Sequence, residues 1–208
     1  MLTLTVLYTY FCTIIFCIVF QIGFLLKAQR NLSIKHFLWV YVFIFYLALV
    51  YMVTGIGIGN NWVMGRYGTL IRISEINLLP FSSEGISTYI LNIILFMPLG
   101  FLLPTIWPQF RTIKNTACTG FFFSLAIELS QLLNHRITDI DDLLMNTLGA
   151  IIGYLLCRAL FKMIYKRDEK KLDDKSSLVI QYEVIFYLVC SFIGMILLYY
   201  PFLFRKII

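Results

Sequence analysis

The chain has 208 residues, of which 60% are hydrophobic, 17% are aromatic and only 13% are charged, and its formal net charge is +6 at pH 7. This composition excludes an ordinary soluble domain, which needs a charged surface around its core, and is typical of a membrane protein with several spans. The positive charge lies mainly in short connections between apolar runs, which indicates contact with anionic lipid headgroups and not nucleic-acid binding.

Six apolar runs follow one another along the chain, and each has about the 20 residues that a membrane-spanning helix needs. They lie at residues 4–26, 37–58, 86–107, 116–133, 143–164 and 178–204. The fourth run is short and contains Glu128. We therefore predict an all-α integral membrane protein that forms a single polytopic domain over residues 1–208, with about six spans and five as the alternative count.

The distribution of Lys and Arg predicts the orientation of these runs, because basic residues concentrate on the cytoplasmic side of a membrane protein. The connections 27–36, 108–115 and 162–177 contain eleven Lys and Arg residues, whereas the connections and end on the opposite side contain five. No basic residue precedes the first run and no small-residue cleavage pattern follows it, so we interpret it as a retained helix. Both termini are then predicted to lie outside the cell.

The external connection before the third run mixes aromatic, basic and apolar residues and is too long for a tight turn. It contains Trp62, Arg66, Tyr67 and Arg72, followed by the sequence INLLPF at residues 76–81. Such a mixture suits a segment in the lipid headgroup region, where it would roof a site near the outer surface. The alternative interpretation is a simple amphipathic linker.

Polar side chains fall on one face of the fourth run. A helix turns about 100° per residue, so residues three, four and seven apart share a side. The shared face contains Gly120, Ser124, Glu128, Gln131 and His135. An ionisable group at bilayer depth costs roughly 2.5–3.5 kcal/mol on insertion scales, and such a stripe is therefore a functional hypothesis by default.

A matching stripe occupies one face of the fifth run if that helix begins near Asp139. Its members are Asp139, Asp142, Asn146, Gly149 and Gly153. The two glycines form a G-x-x-x-G pattern, whose missing side chains allow a second helix to approach closely. We therefore predict that the polar face of the fifth helix, through Gly149 and Gly153, is also its packing face.

Depth brings polar residues from three runs to one level of the membrane. With a rise of about 1.5 Å per residue, Glu128 lies roughly 8 Å below the outer end of its helix, while Asn146 and Asn92 lie about 6 Å and 9 Å below theirs. Gln131 and Asp142 fall close to the same level. This coincidence predicts a polar pocket that opens outward.

Several chemistries suit such a pocket, and the residues alone do not choose among them. Glu128, Asp139 and Asp142 would hold a divalent cation through oxygen ligands. The same groups would bind a cationic or amide-rich ligand, or Glu128 would form an acid/base pair with Asp139 or Asp141. A purely structural role is the fourth interpretation, with a helix cap at Asp139 and hydrogen bonds between helices at Glu128 and Gln131.

Four motifs, in this order, resemble those of the VanZ family of bacterial membrane proteins. They are INLLPF at 76–81, NIILFMPLGF at 92–101, SLAIELSQ at 124–131, and RITDIDD at 136–142 running into NTLG at 146–149. The resemblance covers about residues 70–160, which would form the VanZ-like core, and the run at 178–204 goes beyond the simplest family plan.

The resemblance implies a multi-pass protein of the bacterial cytoplasmic membrane, typical of Gram-positive bacteria and associated with lower susceptibility to the glycopeptide teicoplanin. It brings no established cofactor or catalytic residue. Carried onto the matched positions, it assigns the ligand pocket to seven residues: Asn92, Glu128, Gln131, Arg136, Asp139, Asp142 and Asn146.

The expected activity is binding or shielding of a cell-envelope ligand or lipoglycopeptide at this pocket, with membrane lipids as further partners and no nucleic acid. The alternative is an intramembrane enzyme, a hydrolase or transferase that acts on a lipid-linked envelope precursor with Glu128 and an Asp as acid/base pair or metal ligands. The sequence contains no zinc-protease, serine-hydrolase or cysteine-nucleophile motif that would decide between them.

Overall fold

Six helices make up most of the computed structural model, which describes residues 2–28, 34–56, 76–77, 79–81, 85–132, 138–164 and 178–199. The helices are α1 (Leu2–Ala28), α2 (Ile34–Thr54), α3 (Ile86–Ile106), α4 (Ile113–Leu132), α5 (Ile140–Ile164) and α6 (Leu178–Gly194). A 3-10 turn at Pro108–Phe110 precedes α4, and a π-helical segment at Met195–Tyr199 continues α6. Two short strands, β1 (Ile76–Asn77) and β2 (Thr138–Asp139), pair with each other. The predicted all-α class is confirmed.

Among the residues that the structure describes, four helices are long and apolar enough to cross a membrane by themselves. These stretches are Val6–Gly23, Ile34–Thr54, Ile86–Ile106 and Ile140–Phe161. Helix α4 has 20 residues, but polar residues such as Lys114, Asn115 and Glu128 lower its apolar character, and the apolar stretch of α6 is the shorter Tyr182–Leu198. The chain is therefore a helical membrane protein, while the count of six spans stays a prediction.

The contacts between residues divide the chain into two compact units. Unit 1 comprises Met1–Ile76, Leu129–Thr138 and Glu183–Ile208, and unit 2 comprises Asn77–Glu128 and Asp139–Tyr182. This division does not test the prediction of a single membrane domain over residues 1–208, which stays a prediction. Each unit has its own packing, and the polar residues of α3, α5 and most of α4 belong to unit 2.

Helices α3 and α5 form the most extensive contact between elements, and glycines lie along it. A side chain added at Gly149 would collide with the carbonyl oxygen of Ile93, and one at Gly153 would collide with that of Met97. Residue numbers increase together along both helices at these contacts, so α3 and α5 run in the same direction. On the α3 side, Gly100 lies against the backbone of Ala150.

Helix α4 runs in the opposite direction to α5 within unit 2. Near the middle of α4, a Cβ at Gly120 would lie 2.7 Å from the Cβ of Ala150. One turn further along α4, Ser124 bonds to Asn146, which lies one turn earlier in α5. The three helices of unit 2 therefore alternate in direction, as three successive spans would.

Unit 1 contains α1, α2 and the part of α6 from Glu183 onwards, with α1 antiparallel to both of the others. Tyr8 near the start of α1 donates its hydroxyl to the carbonyl of Leu198 at 2.8 Å. Towards the other end, the rings of Phe20 and Phe186 stack with centroids 4.8 Å apart. These contacts place α6 and its π-helical continuation alongside α1 from Tyr8 to Phe20. A span within residues 178–204 stays a prediction.

Substitution of single glycines tests the contact between α3 and α5. Gly153→Ala is expected to lower the thermal unfolding midpoint of the protein in detergent, because the added methyl group meets the backbone of Met97 and overpacking costs about 1–3 kcal/mol. Gly23→Ala is the matched control, since no atom lies within 4 Å of the position of its Cβ and alanine favours a helix. Equal midpoints for the two variants would contradict this packing.

The orientation predicted from the basic residues is tested by cysteine labelling in intact cells. With the exposed Cys118 changed to Ser, Ser87→Cys at the start of α3 should react with an impermeant maleimide from outside. Lys114→Cys at the start of α4 should react only after permeabilisation, because basic connections stay in the cytoplasm. The reverse pattern would place the start of α5 on the cytoplasmic side.

Candidate functional site

The candidate site is built around the first turn of α5 in unit 2. Strand β2 leads directly into this helix, and Asp139 is the residue before its first turn. One carboxylate oxygen of Asp139 accepts a hydrogen bond from the backbone N–H of Asp141 at 3.0 Å. A side chain in this position satisfies an N–H group that would otherwise lack a partner within the helix. The helix cap that the sequence offered at Asp139 is therefore present.

Asp139 also connects the start of α5 to two other segments. Its second carboxylate oxygen accepts from the side-chain amide of Asn77 at 3.0 Å, and its backbone N–H donates to Glu128 of α4 at 3.3 Å. Both Glu128 and Asp139 are 3% exposed. Carboxylates at a helix N-terminus are favoured by the helix dipole, which helps to keep these two groups in a buried position.

Asp141 has the strongest set of donors at the site and is fully buried. Both of its carboxylate oxygens lie 2.9 Å from the backbone N–H of Phe81, and one accepts the hydroxyl of Tyr89 at 2.8 Å. The sequence-based pocket did not include Asp141, because it lies off the polar stripe of α5. Its position in the first turn of the helix, between two other acidic residues, was the available signal.

The amides predicted for the pocket bond to side chains of neighbouring helices. Asn92 of α3 donates to the carboxylate of Asp142. One turn further into α5, the amide nitrogen of Asn146 donates to the hydroxyl of Ser124 at 2.9 Å. The amide oxygen of Asn146 is buried and has no hydrogen-bond partner among the residues that the structure describes. Unit 2 thus brings together five of the seven predicted pocket residues.

The other two predicted residues are placed differently. Arg136 lies outside the described residues. Gln131 belongs to unit 1, where its amide nitrogen donates to the carbonyl oxygen of Thr54 at 2.9 Å. Its amide oxygen is buried and, within the described part of the chain, also lacks a hydrogen-bond partner.

The metal hypothesis rests on the carboxylates of Glu128, Asp139 and Asp142. Within residues 2–28, 34–56, 76–77, 79–81, 85–132, 138–164 and 178–199, no group of three or more His, Cys, Asp or Glu side chains has an arrangement that could hold a metal ion. The contacts shown for these carboxylates come instead from amide and backbone N–H donors. These three carboxylates therefore form a hydrogen-bonding site with the groups around them.

A buried carboxylate in unit 1, Glu183, was missed by the sequence analysis. Glu183 of α6 is 1% exposed, and its carboxylate lies 3.1 Å from the Nε2 atom of His36 at the start of α2. An ionisable residue inside an apolar run was the signal that could have identified it. The pair joins the start of α2 to α6 within unit 1.

Comparison with known proteins identifies one family. A family model described as VanZ/LLP1 matches residues 43–162, which is more than half of the chain and includes every residue of the candidate site. No curated protein and no solved structure matches the chain.

Two variants of Asp139 separate its charge from its capping role. Asp139→Ala removes the cap of α5 and the acceptor for Asn77, and it is expected to destabilise the protein by about 1–2 kcal/mol, which thermal unfolding in detergent would detect. Asp139→Asn keeps a good capping side chain and should stay closer to the parent protein. If both variants unfold at the same lower temperature, the cap is not the stabilising contact.

Proposed function

The chain belongs to the VanZ/LLP1 family, and from that premise we propose that it binds or shields a cell-envelope ligand or lipoglycopeptide at the start of α5 and thereby lowers susceptibility to teicoplanin. The proposal places the protein in the cytoplasmic membrane of a Gram-positive bacterium, with the site open to the outside. Glu128 and Asp142 would carry negative charge there, and Asn92 and Asn146 would orient the ligand. Arg136 would attract anionic groups such as phosphate.

The observation that carries this proposal is the unused acceptor of Asn146. A buried polar atom without a hydrogen bond costs about 1–3 kcal/mol, so native proteins rarely leave one without a water or ligand partner. Asn146 is 3% exposed, and its amide nitrogen is already used by Ser124. A donor on a bound molecule would complete the hydrogen bonding of this side chain.

The chemistry of the neighbouring groups indicates what kind of molecule would fit. Asp142 lies one turn before Asn146 in α5, and Asn92 of α3 bonds to it. Both side chains are only partly buried. Carboxylates and amide oxygens accept hydrogen bonds, so the matching ligand is rich in peptide N–H, sugar hydroxyl or ammonium donors. Lipoglycopeptides and lipid-linked envelope precursors present such donors beside an apolar chain, which suits a polar site in a membrane protein.

The test compares teicoplanin susceptibility among strains that produce equal amounts of folded protein. Asp142→Asn should reduce protection to about the level of cells without the protein, because a lost hydrogen bond to a charged group costs about 1.5–3 kcal/mol, or more than tenfold in affinity. Asn146→Ala should reduce protection less, because a hydrogen bond to a neutral amide contributes about 0.5–1.5 kcal/mol. Arg158→Gln is the matched control, since Arg158 is an exposed residue of α5 outside the site. Glu128→Gln extends the series to α4.

Unchanged susceptibility in strains with correctly inserted Asp142→Asn and Asn146→Ala proteins would overturn the proposed site. The enzymatic alternative makes a different prediction for the same proteins. Purified parent protein would then change the mass of a lipid-linked envelope precursor, and the Glu128→Gln variant would not. Binding of the precursor without any mass change supports the binding function.

A further inference from the structure

A turn at residues 79–81 presents two large apolar side chains at the surface of unit 2. Leu79 is 70% exposed and Phe81 is 69% exposed. Neither residue belongs to the polar site, although the same short segment begins with Asn77, which bonds to Asp139. We refer to Leu79, Pro80 and Phe81 as the apolar turn.

Hydrogen bonds hold the apolar turn in an unusual conformation. The backbone angle φ of Phe81 is 61°, in the left-handed region that residues other than glycine and asparagine rarely adopt. Its N–H donates to both carboxylate oxygens of the fully buried Asp141, and the N–H of Leu79 donates to the side chain of Asn77 at 3.2 Å. Strained residues persist only where their surroundings hold them, and they often mark functional positions.

The apolar turn lies against the start of a helix that is able to span the membrane. The rings of Phe81 and Tyr89 are in edge contact with centroids 6.1 Å apart, and Tyr89 lies in the first turn of α3. The candidate span begins at Ile86, and its outward side chains are also exposed: Ile86, Ile90, Leu91 and Ile94. The turn thus contacts the first turn of α3, where the side chains that this helix would present to lipid begin.

We propose that the apolar turn inserts Leu79 and Phe81 among the lipid acyl chains beside the first turns of α3, and that Asp141 is the positioning residue that keeps it there. Aromatic and aliphatic side chains at the membrane boundary anchor proteins in this way. Lipid is the occupant that the position favours, because exposed apolar side chains in contact with the first turn of a candidate span lie where that helix enters the bilayer. The proposal does not depend on the ligand of the polar site.

Site-specific photocrosslinking in lipid vesicles tests the proposal directly. The full-length protein is reconstituted in phosphatidylcholine and phosphatidylglycerol vesicles with a benzophenone amino acid at Leu79, and the adducts are identified by mass. The same amino acid at Leu91, which is 63% exposed within the candidate span, is the positive control. Lipid adducts at Leu79 should form in yields within about twofold of those at Leu91, as expected for two side chains at similar contact with lipid.

The role of Asp141 is tested by repeating the measurement in two variants. Asp141→Ala should lower the lipid adducts at Leu79 by about fivefold or more and leave those at Leu91 unchanged, because only the turn loses its support. Asp141→Asn keeps one acceptor oxygen and should give an intermediate yield of lipid adducts at Leu79. This variant replaces Asp141→Ala in the test if the alanine variant does not insert. Adducts at Leu91 report insertion in each case.

The crosslinking measurement with Asp141 intact is sufficient to overturn the proposal. If Leu91 forms lipid adducts and Leu79 forms none, the apolar turn does not lie in lipid. Adducts at Leu79 to a second copy of the chain or to another protein would instead identify the turn as a protein interface. Equal yields at Leu79 in the parent protein and in an inserted Asp141→Ala variant would remove Asp141 from the proposal while the turn remained in lipid.

Discussion

The close approach of the α3 and α5 backbones is the constraint on which the polar site depends. Gly100, Gly149 and Gly153 lie along this contact, and a side chain at any of them would collide with the backbone of the opposite helix. Helices in a membrane associate through such packing and through hydrogen bonds, since lipid leaves little hydrophobic driving force between them. The two helices run in the same direction, so their first turns lie side by side. This arrangement is what allows Asn92 to reach Asp142.

The acidic residues at the start of α5 have several partners each, which explains how so much negative charge is accommodated there. The helix dipole favours Asp139 and Asp141 in this position, and every contact shown for their carboxylate oxygens is with an N–H or O–H donor. Asp141 holds the turn at Phe81, whereas Asp139 holds Asn77 at the other end of the same segment. The segment before α3 is therefore fixed by α5. A ligand that changed the position of these carboxylates would also displace this segment.

Helical phase and composition predicted much of this arrangement, because both follow from local sequence. The apolar runs became helices, and the stripe containing Asp142 and Asn146 faces α3 and α4 as its spacing indicates. The hydrogen-bond partners of each residue could not be predicted, because they depend on distances between helices, and periodicity within one helix gives no such distances. Asp141 lies off the stripe and was omitted, yet it bonds to Phe81 and Tyr89. Gln131 shares a helical face with Glu128, but its described contact is in unit 1, with Thr54.

Buried polar pairs hold the last helix, α6, against α2. Glu183 lies 3.1 Å from His36 near the start of α6, and the hydroxyls of Ser191 and Tyr51 lie 2.8 Å apart two turns further along. Separation of α6 from α2 would leave a buried carboxylate and a buried hydroxyl without these partners, which is costly in an apolar environment. The pairs follow one another along both helices, so they also fix the register of α6. Within unit 1, α6 is therefore held to α2 by polar pairs, although its apolar stretch is short.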